Sequence, residues 1–113
     1  MGTPSVGGVV LVPFPFSDLS QSKLRPALVL AASGQGDFIL CQLTSNSYAD
    51  PLAIEIANGD LQRGSLHRTS FARPGKLFTA NDSLIVREVG VLKPAMQNRV
   101  VEAVVQLLRG PKR

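Results

Sequence analysis

Two apolar runs, VVLV at residues 9–12 and ALVL at residues 27–30, constrain this chain more than any other feature. Each is short and continuous, and the first is mostly β-branched, which suits a buried strand better than a helix. Between them lies a linker holding Pro13, Pro15, Ser17, Asp18, Ser20 and Ser22. It closes on Lys23-Leu24-Arg25-Pro26, so two cations arrive at the mouth of the second strand. Proline has no N–H and disfavours the helical region for the residue before it, so Arg25 should be extended where loop becomes strand. A fixed cation beside a polar loop suits an anionic ligand. Residues 15–24 carry few apolar anchors and are expected to be the most mobile internal segment, ordering on binding.

The rest of the chain reads as more short strands. Residues 33–37 (SGQGD) form a turn cluster and residues 38–43 a third strand. From a turn centred near Gln35, Arg25 lies ten residues back and Thr44 nine residues on. In a tight antiparallel hairpin, nearly equal arms bring these two side by side. A polar loop follows over residues 44–51, then an alternating fourth strand at 52–56. Asn58-Gly59-Asp60 and Arg63-Gly64 bracket a turn. Further strands are expected at 66–71, 76–79 and 84–89, the last ending at Gly90. Pro94 suits the first turn of a helix over residues 95–108. Its apolar residues Met96, Val100, Ala103, Val104, Leu107 and Leu108 fall at three-to-four spacing, and Val101 and Val105 widen the stripe towards a second face. The fold class is therefore mostly β with one C-terminal α-helix, a small, strongly bent barrel in one domain over residues 1–113.

Composition narrows the function. A hydrophobic content of 44% with 18% charged residues fits an ordered globular chain rather than a disordered one. No run approaches the ~18 apolar residues of a membrane span, and the start lacks the pattern of a secretory signal. The cytoplasm is the expected compartment. Cys41 is a lone cysteine inside a strand, expected to be a buried small hydrophobe. One histidine, one cysteine and no H-E-x-x-H argue against a metal hydrolase. No G-x-S-x-G accompanies His67, which argues against a serine hydrolase.

The net charge of +4 conceals an asymmetry. Residues 1–60 hold two cations against five acids, and residues 61–113 hold ten cations against three. Arg63, His67, Arg68, Arg73 and Lys76 lie in a segment, residues 61–81, that has no carboxylate. Such a cluster can be a solvated face or a phosphate-binding surface.

The pattern G-x-VVLVPFPFxDLSxSKLRPALVL, then Cys41-Gln42-Leu43-Thr44-Ser45, then Leu84-Ile85-Val86 leading into Gly90-x-Leu92, resembles the PemK/MazF toxins. These are ribosome-independent mRNA endoribonucleases of type II toxin–antitoxin pairs. The resemblance implies an SH3-like barrel, a homodimer, a cognate acidic antitoxin, and operator DNA bound through the antitoxin complex. It implies sequence-specific cleavage of single-stranded RNA by the substrate's own 2′-hydroxyl, with no metal and no cofactor. Arg25 and Thr44 carry over as catalytic residues, with Ser45 beside them. Arginine can hold the phosphate bidentately, and the hydroxyls can bond its non-bridging oxygens. Ser22, Lys23, Asn46, His67, Ser70, Arg73 and Lys76 are the expected RNA contacts. Phe14, Phe16, Tyr48 and Phe71 are the aromatics available for stacking.

Three departures stand out. Gly8 replaces an Asp common after the first Gly. No histidine lies between residues 14 and 24. The region of a downstream Arg-x-Asp pair reads Ser70-Phe71-Ala72-Arg73-Pro74, without the acid. The general base is thus open, with His67 a candidate by chemistry. The alternative to a ribonuclease is a catalytically inactive barrel that binds nucleic acid or an antitoxin.

Overall fold

The two apolar runs form the centres of adjacent antiparallel strands, β1 (Gly8–Pro15) and β2 (Ser22–Gly34). The computed structural model describes residues 4–15 and 22–110 of the chain. The other elements are β3 (Asp37–Thr44), β4 (Ile54–Ile56), β5 (Leu61–Gly64), β6 (Ser70–Asn81), β7 (Arg87–Leu92) and the helix α1 (Pro94–Arg109). Single 3₁₀ turns occupy Asn58–Asp60 and Asp82–Leu84.

All seven strands belong to one sheet in the order β4-β6-β3-β2-β1-β7-β5, with every pairing antiparallel. The central strands are buried on both faces, which is why they read as continuous apolar runs rather than alternating ones. Val9, Leu28, Cys41 and Leu43 enter one cluster; Val10, Val12, Ala27, Val29, Phe38 and Leu40 enter another. The first cluster also holds Ile54 and Ile56 of β4 and Leu61 of β5, from opposite edges of the sheet. A flat sheet could not bring its two edges into one core; curling into a half-barrel does so. Val100 of α1 completes that core, with Met96 and Ala103 packed against it.

The helix matches its sequence signals. Pro94 stands in the first turn, and Gly110, at φ 79°, ends the helix by donating to the carbonyls of Gln106 and Leu107. Val100 and Val104 are buried, Val101 and Val105 half-buried, and Leu108 is 73% exposed. The wide stripe thus leaves apolar surface beyond what the core covers.

Several boundaries differ from the expectation. β1 and β2 pair as far as Pro15 with Ser22, so Lys23, Leu24 and Arg25 are strand residues, not the end of a loop. Arg25 is extended as expected, opposite Val12, but inside β2. Two prolines in β1 did not stop the ladder, because antiparallel pairing uses the N–H of alternate residues on each side. The middle of the segment expected to be mobile, residues 16–21, lies outside the described residues.

The expected strand at residues 66–71 is irregular over 65–69, and the strand lies instead at β5, where a turn was expected. Gly64 explains the shift. It has φ 81° and pairs with Gly90, and a Cβ there would run into the carbonyl of Val89. Only glycine permits so close a crossing of two backbones. The two short strands expected around residue 74 are one strand, β6. Its register against β3 jumps from Cys41–Leu77 to Leu43–Ala72, so Arg73-Pro74-Gly75-Lys76 bulges out opposite Gln42. A bulge is where a strand accommodates proline. The expected strand at residues 84–89 begins only at Arg87, after the 3₁₀ turn.

Candidate functional site

The register of β2 against β3 pairs Leu28 with Cys41 and Ala27 with Gln42. Continued by two residues, it sets Arg25 level with Thr44. Arg25, Ala27 and Val29 share one face of β2; Leu40, Gln42 and Thr44 share the matching face of β3. The buried end of this face is core, and its outer end is Arg25 and Thr44.

A cleft of about 810 Å³ opens here. Leu24, Arg25, Pro26, Gln42, Leu43, Thr44, Ser45 and Tyr48 line one wall. Ser65, Leu66, His67, Arg68 and Ser70, with Arg87, Glu88 and Val89 of β7, line the other, and Leu11 of β1 also contributes. Among the described residues the lining holds Arg25, Arg68 and Arg87 against one carboxylate, Glu88, a balance that favours an anion.

The strand ends then turn sharply. The Thr44 hydroxyl oxygen accepts from the Asn46 N–H at 3.2 Å, leaving its proton available to a ligand. Asn46 Oδ1 accepts from the Tyr48 N–H at 2.8 Å. Tyr48 and Ala49 sit at φ 54° and 55°, a conformation that L-residues seldom adopt. The Arg73 guanidinium lies 5.1 Å from the Tyr48 ring centroid and pairs through Nε with Asp50 Oδ2 at 3.0 Å. The Leu52 N–H, and then Arg73, hold the Asp50 carboxyl below the usual carboxylate range.

The opposite wall hangs on fewer bonds. The Asn58 side chain accepts from the Leu66 N–H at 2.7 Å and donates to its carbonyl at 3.3 Å. The Ser65 N–H reaches the Val89 carbonyl at 3.3 Å. Ser70 is buried, its hydroxyl donating to the Arg68 carbonyl at 3.2 Å.

Gly8 is explained by Glu88. A Cβ at residue 8 would stand 2.5 Å from Glu88 Oε2 and 2.8 Å from the Ser5 carbonyl. The space of an Asp side chain there is taken by a carboxylate arriving from β7. That carboxylate accepts from Ser5 Oγ at 3.1 Å and from Arg63 Nη2 at 3.1 Å.

Of the residues singled out by sequence, Arg25, Thr44, Ser45, His67 and Ser70 meet at the cleft. Lys23 is exposed on β2 and Lys76 on the β6 bulge, neither lining it, and Asn46 and Arg73 shape the loop behind it. Ser22 is a strand residue whose side chain lies outside the description. Arg68, from the basic cluster, also lines the cleft, and Gln42, Ser65, Arg87 and Glu88 do so without having been singled out. The signal for Gln42 was its place two residues before Thr44 on the same strand face. Cys41 is buried and its thiol is pushed up to about 12 by desolvation, so it is packing, not chemistry. Among the described residues no group of His, Cys, Asp or Glu could hold a metal ion, and no helix is long and apolar enough to cross a membrane.

This fold and cleft place the chain among known proteins. The family model for PemK-like, MazF-like toxins of type II toxin–antitoxin systems matches residues 5–108, and the chain belongs to that family. No curated protein sequence matches it. Among solved structures it resembles an endoribonuclease in complex with its cognate antitoxin from a mycobacterial species, at 17% identity and a TM-score of 0.72, covering 100% of both chains. It resembles the MazE–MazF complex (Form-III) of Deinococcus radiodurans at 17% identity and a TM-score of 0.76, covering 97% of this chain and 100% of that one. The toxin MazF-mt6 of Mycobacterium tuberculosis is similar at 15% identity and a TM-score of 0.70, with 93% and 99% covered. These likenesses establish the fold: the small barrel with its terminal helix.

Proposed function

We propose that this toxin is a sequence-selective endoribonuclease that cuts single-stranded mRNA without a metal ion. The observation that carries the reading is the convergence of Arg25, Thr44, Ser45 and His67 on one cationic cleft. The substrate's 2′-oxygen attacks the adjacent phosphorus while the bond to the 5′-oxygen breaks, leaving a 2′,3′-cyclic phosphate and a 5′-hydroxyl. Arg25 stabilises the extra charge on the phosphoryl oxygens, and Thr44 and Ser45 donate to them. His67 takes the 2′-hydroxyl proton, and the leaving oxygen draws one from solvent. Arginine is a poor proton donor, so its part is electrostatic.

The reading includes a homodimer that buries the spare apolar surface of α1, residence in the cytoplasm, and a cognate antitoxin. The antitoxin presents an acidic, partly disordered segment to the basic second half of the chain and carries the complex to operator DNA. The toxin–antitoxin complexes with the same fold support the antitoxin partner.

One observation favours the alternative, a barrel that binds without cutting: Glu88, the carboxylate of the cleft, is already held by Arg63 and Ser5. Incubating the purified protein with mixed RNA in EDTA separates the two. Selective fragments ending in cyclic phosphate are expected; intact RNA at micromolar protein would establish the binding module.

A further inference from the structure

The geometry points to Gln42 as the residue that reads a nucleobase next to the phosphate held at Arg25 and Thr44, with Tyr48 as the stacking platform. This deepens the reading of the cleft as an RNA site and rests on it. Gln42 lines the cleft on β3, one residue pair inside Thr44, about 7 Å along the strand. Its cross-strand neighbour Ala27 is small and buried, so Gln42 stands where this face passes from core to cleft.

The Gln42 side-chain oxygen has no structural employment among the described residues. This Oε1 is fully sheltered from solvent and has no hydrogen-bond partner among them. A buried acceptor without a donor weakens a fold, and a leucine of similar length would avoid that cost. Opposite Gln42, β6 departs from the ladder in the bulge at Arg73-Pro74-Gly75-Lys76. Bulges recur beside binding sites, where they re-aim side chains. The sheltered oxygen calls for a donor, and the amide nitrogen beside it offers a proton. Each base offers such a pair on its Watson–Crick edge, but the donor is the exocyclic amino group in adenine and cytosine and the ring N–H in uracil and guanine, so an amide held in one orientation seats one class better than the other.

Tyr48 supplies the complementary element. One face of its ring is backed by the Arg73 guanidinium, and the residue is 60% exposed on the cleft wall. Two successive residues at positive φ hold it there. Strain of this kind persists where the surroundings enforce it, and a ring so presented stacks on an unpaired base.

The test is fluorescence anisotropy with 2′-O-methyl heptamers of A, C and U, which cannot be cut, so the result does not depend on catalysis. The parent should separate A and C from U by about tenfold in affinity. Gln42→Leu should bring the three within about twofold of one another, with an unfolding midpoint no lower than the parent's. Tyr48→Ala should weaken all three about tenfold without changing their order. Gln42→Glu, which keeps the shape and removes the donor, serves should the leucine variant not fold; it too should lose the parental order. A parent that does not separate A and C from U, or a Gln42 variant that keeps the parental order, overturns the assignment. Failure of the cleavage assay with base preference intact overturns the nuclease and leaves this reader in place.

Discussion

The two walls of the cleft are built by different means. The β2–β3 wall is continuous sheet: Arg25 and Thr44 extend a ladder whose next residues, Ala27, Leu28, Val29, Leu40 and Cys41, are buried. The opposite wall sets a loop, residues 65–69, against β7, and the loop is held by the Asn58 side chain, the Ser70 hydroxyl and a backbone bond to Val89. The ladder therefore fixes the backbone of Arg25 and Thr44 before any ligand arrives, the preorganisation that their proposed role in stabilising a transition state requires. His67 and Arg68 on the second wall can adjust cheaply, since loop segments open at low free-energy cost. Under the proposed function, phosphate stabilisation falls to the rigid wall, and the base His67, with accommodation of the substrate, to the loop.

The largest effect that could break this division is at Arg25. Arg25→Ala should reduce RNA cleavage by ~3 kcal/mol, on the order of a hundredfold, with the fold intact, because the side chain is exposed on its strand and its loss opens no core cavity. Thr44→Val keeps the shape and should cost less. Both residues would contact one phosphate, so the double variant should fall short of the product of the single losses. Parental cleavage rates in folded Arg25→Ala would remove chemistry from the rigid wall.

A smaller effect sharpens the contrast from the other side. Asn58→Ala deletes both bonds to Leu66 and should cost about 1–2 kcal/mol. Faster hydrogen exchange should be confined to the amides of residues 65–69, with the β2–β3 ladder unchanged. Exchange that rises equally in both walls would mean that the loop is not an independent unit.

The same asymmetry decided what could be read from the sequence. The β2–β3 wall was legible because short apolar runs flank a Gly-rich turn, and nearly equal arms about that turn bring Arg25 and Thr44 level. The loop wall was not. Leu66, His67 and Phe71 look like an alternating strand, but the crossing of Gly64 over Gly90 ends the strand early, and that crossing depends on a partner 26 residues away. Arg87 and Glu88 reach the cleft only because β7 pairs with β1, where Arg87 stands opposite Leu11 and Glu88 opposite Val10. Local spacing carries no trace of such pairings. The terminal helix was legible almost to the residue because its stop signals are local.

The smallest effect concerns the loop that extends the rigid wall. Asp50 anchors Arg73, which backs Tyr48, so this corner depends on a carboxylate staying ionised. The Leu52 N–H and the Arg73 guanidinium bond the charged form, so the folded protein holds the Asp50 proton less tightly than the unfolded chain does. A group lowered on folding adds stability that is complete above its unfolded value, about pH 4, and disappears as pH falls through the folded one. Asp50→Asn should therefore be less stable than the parent by a constant margin from pH 7 to pH 5. That margin should narrow below pH 4, where the parent too takes up the proton. Urea midpoints of both proteins at pH 7, 5, 4 and 3 measure it. A margin that stays constant to pH 3 would show that the ionised carboxylate does not hold this corner, and Tyr48 would then owe its position to the turn alone.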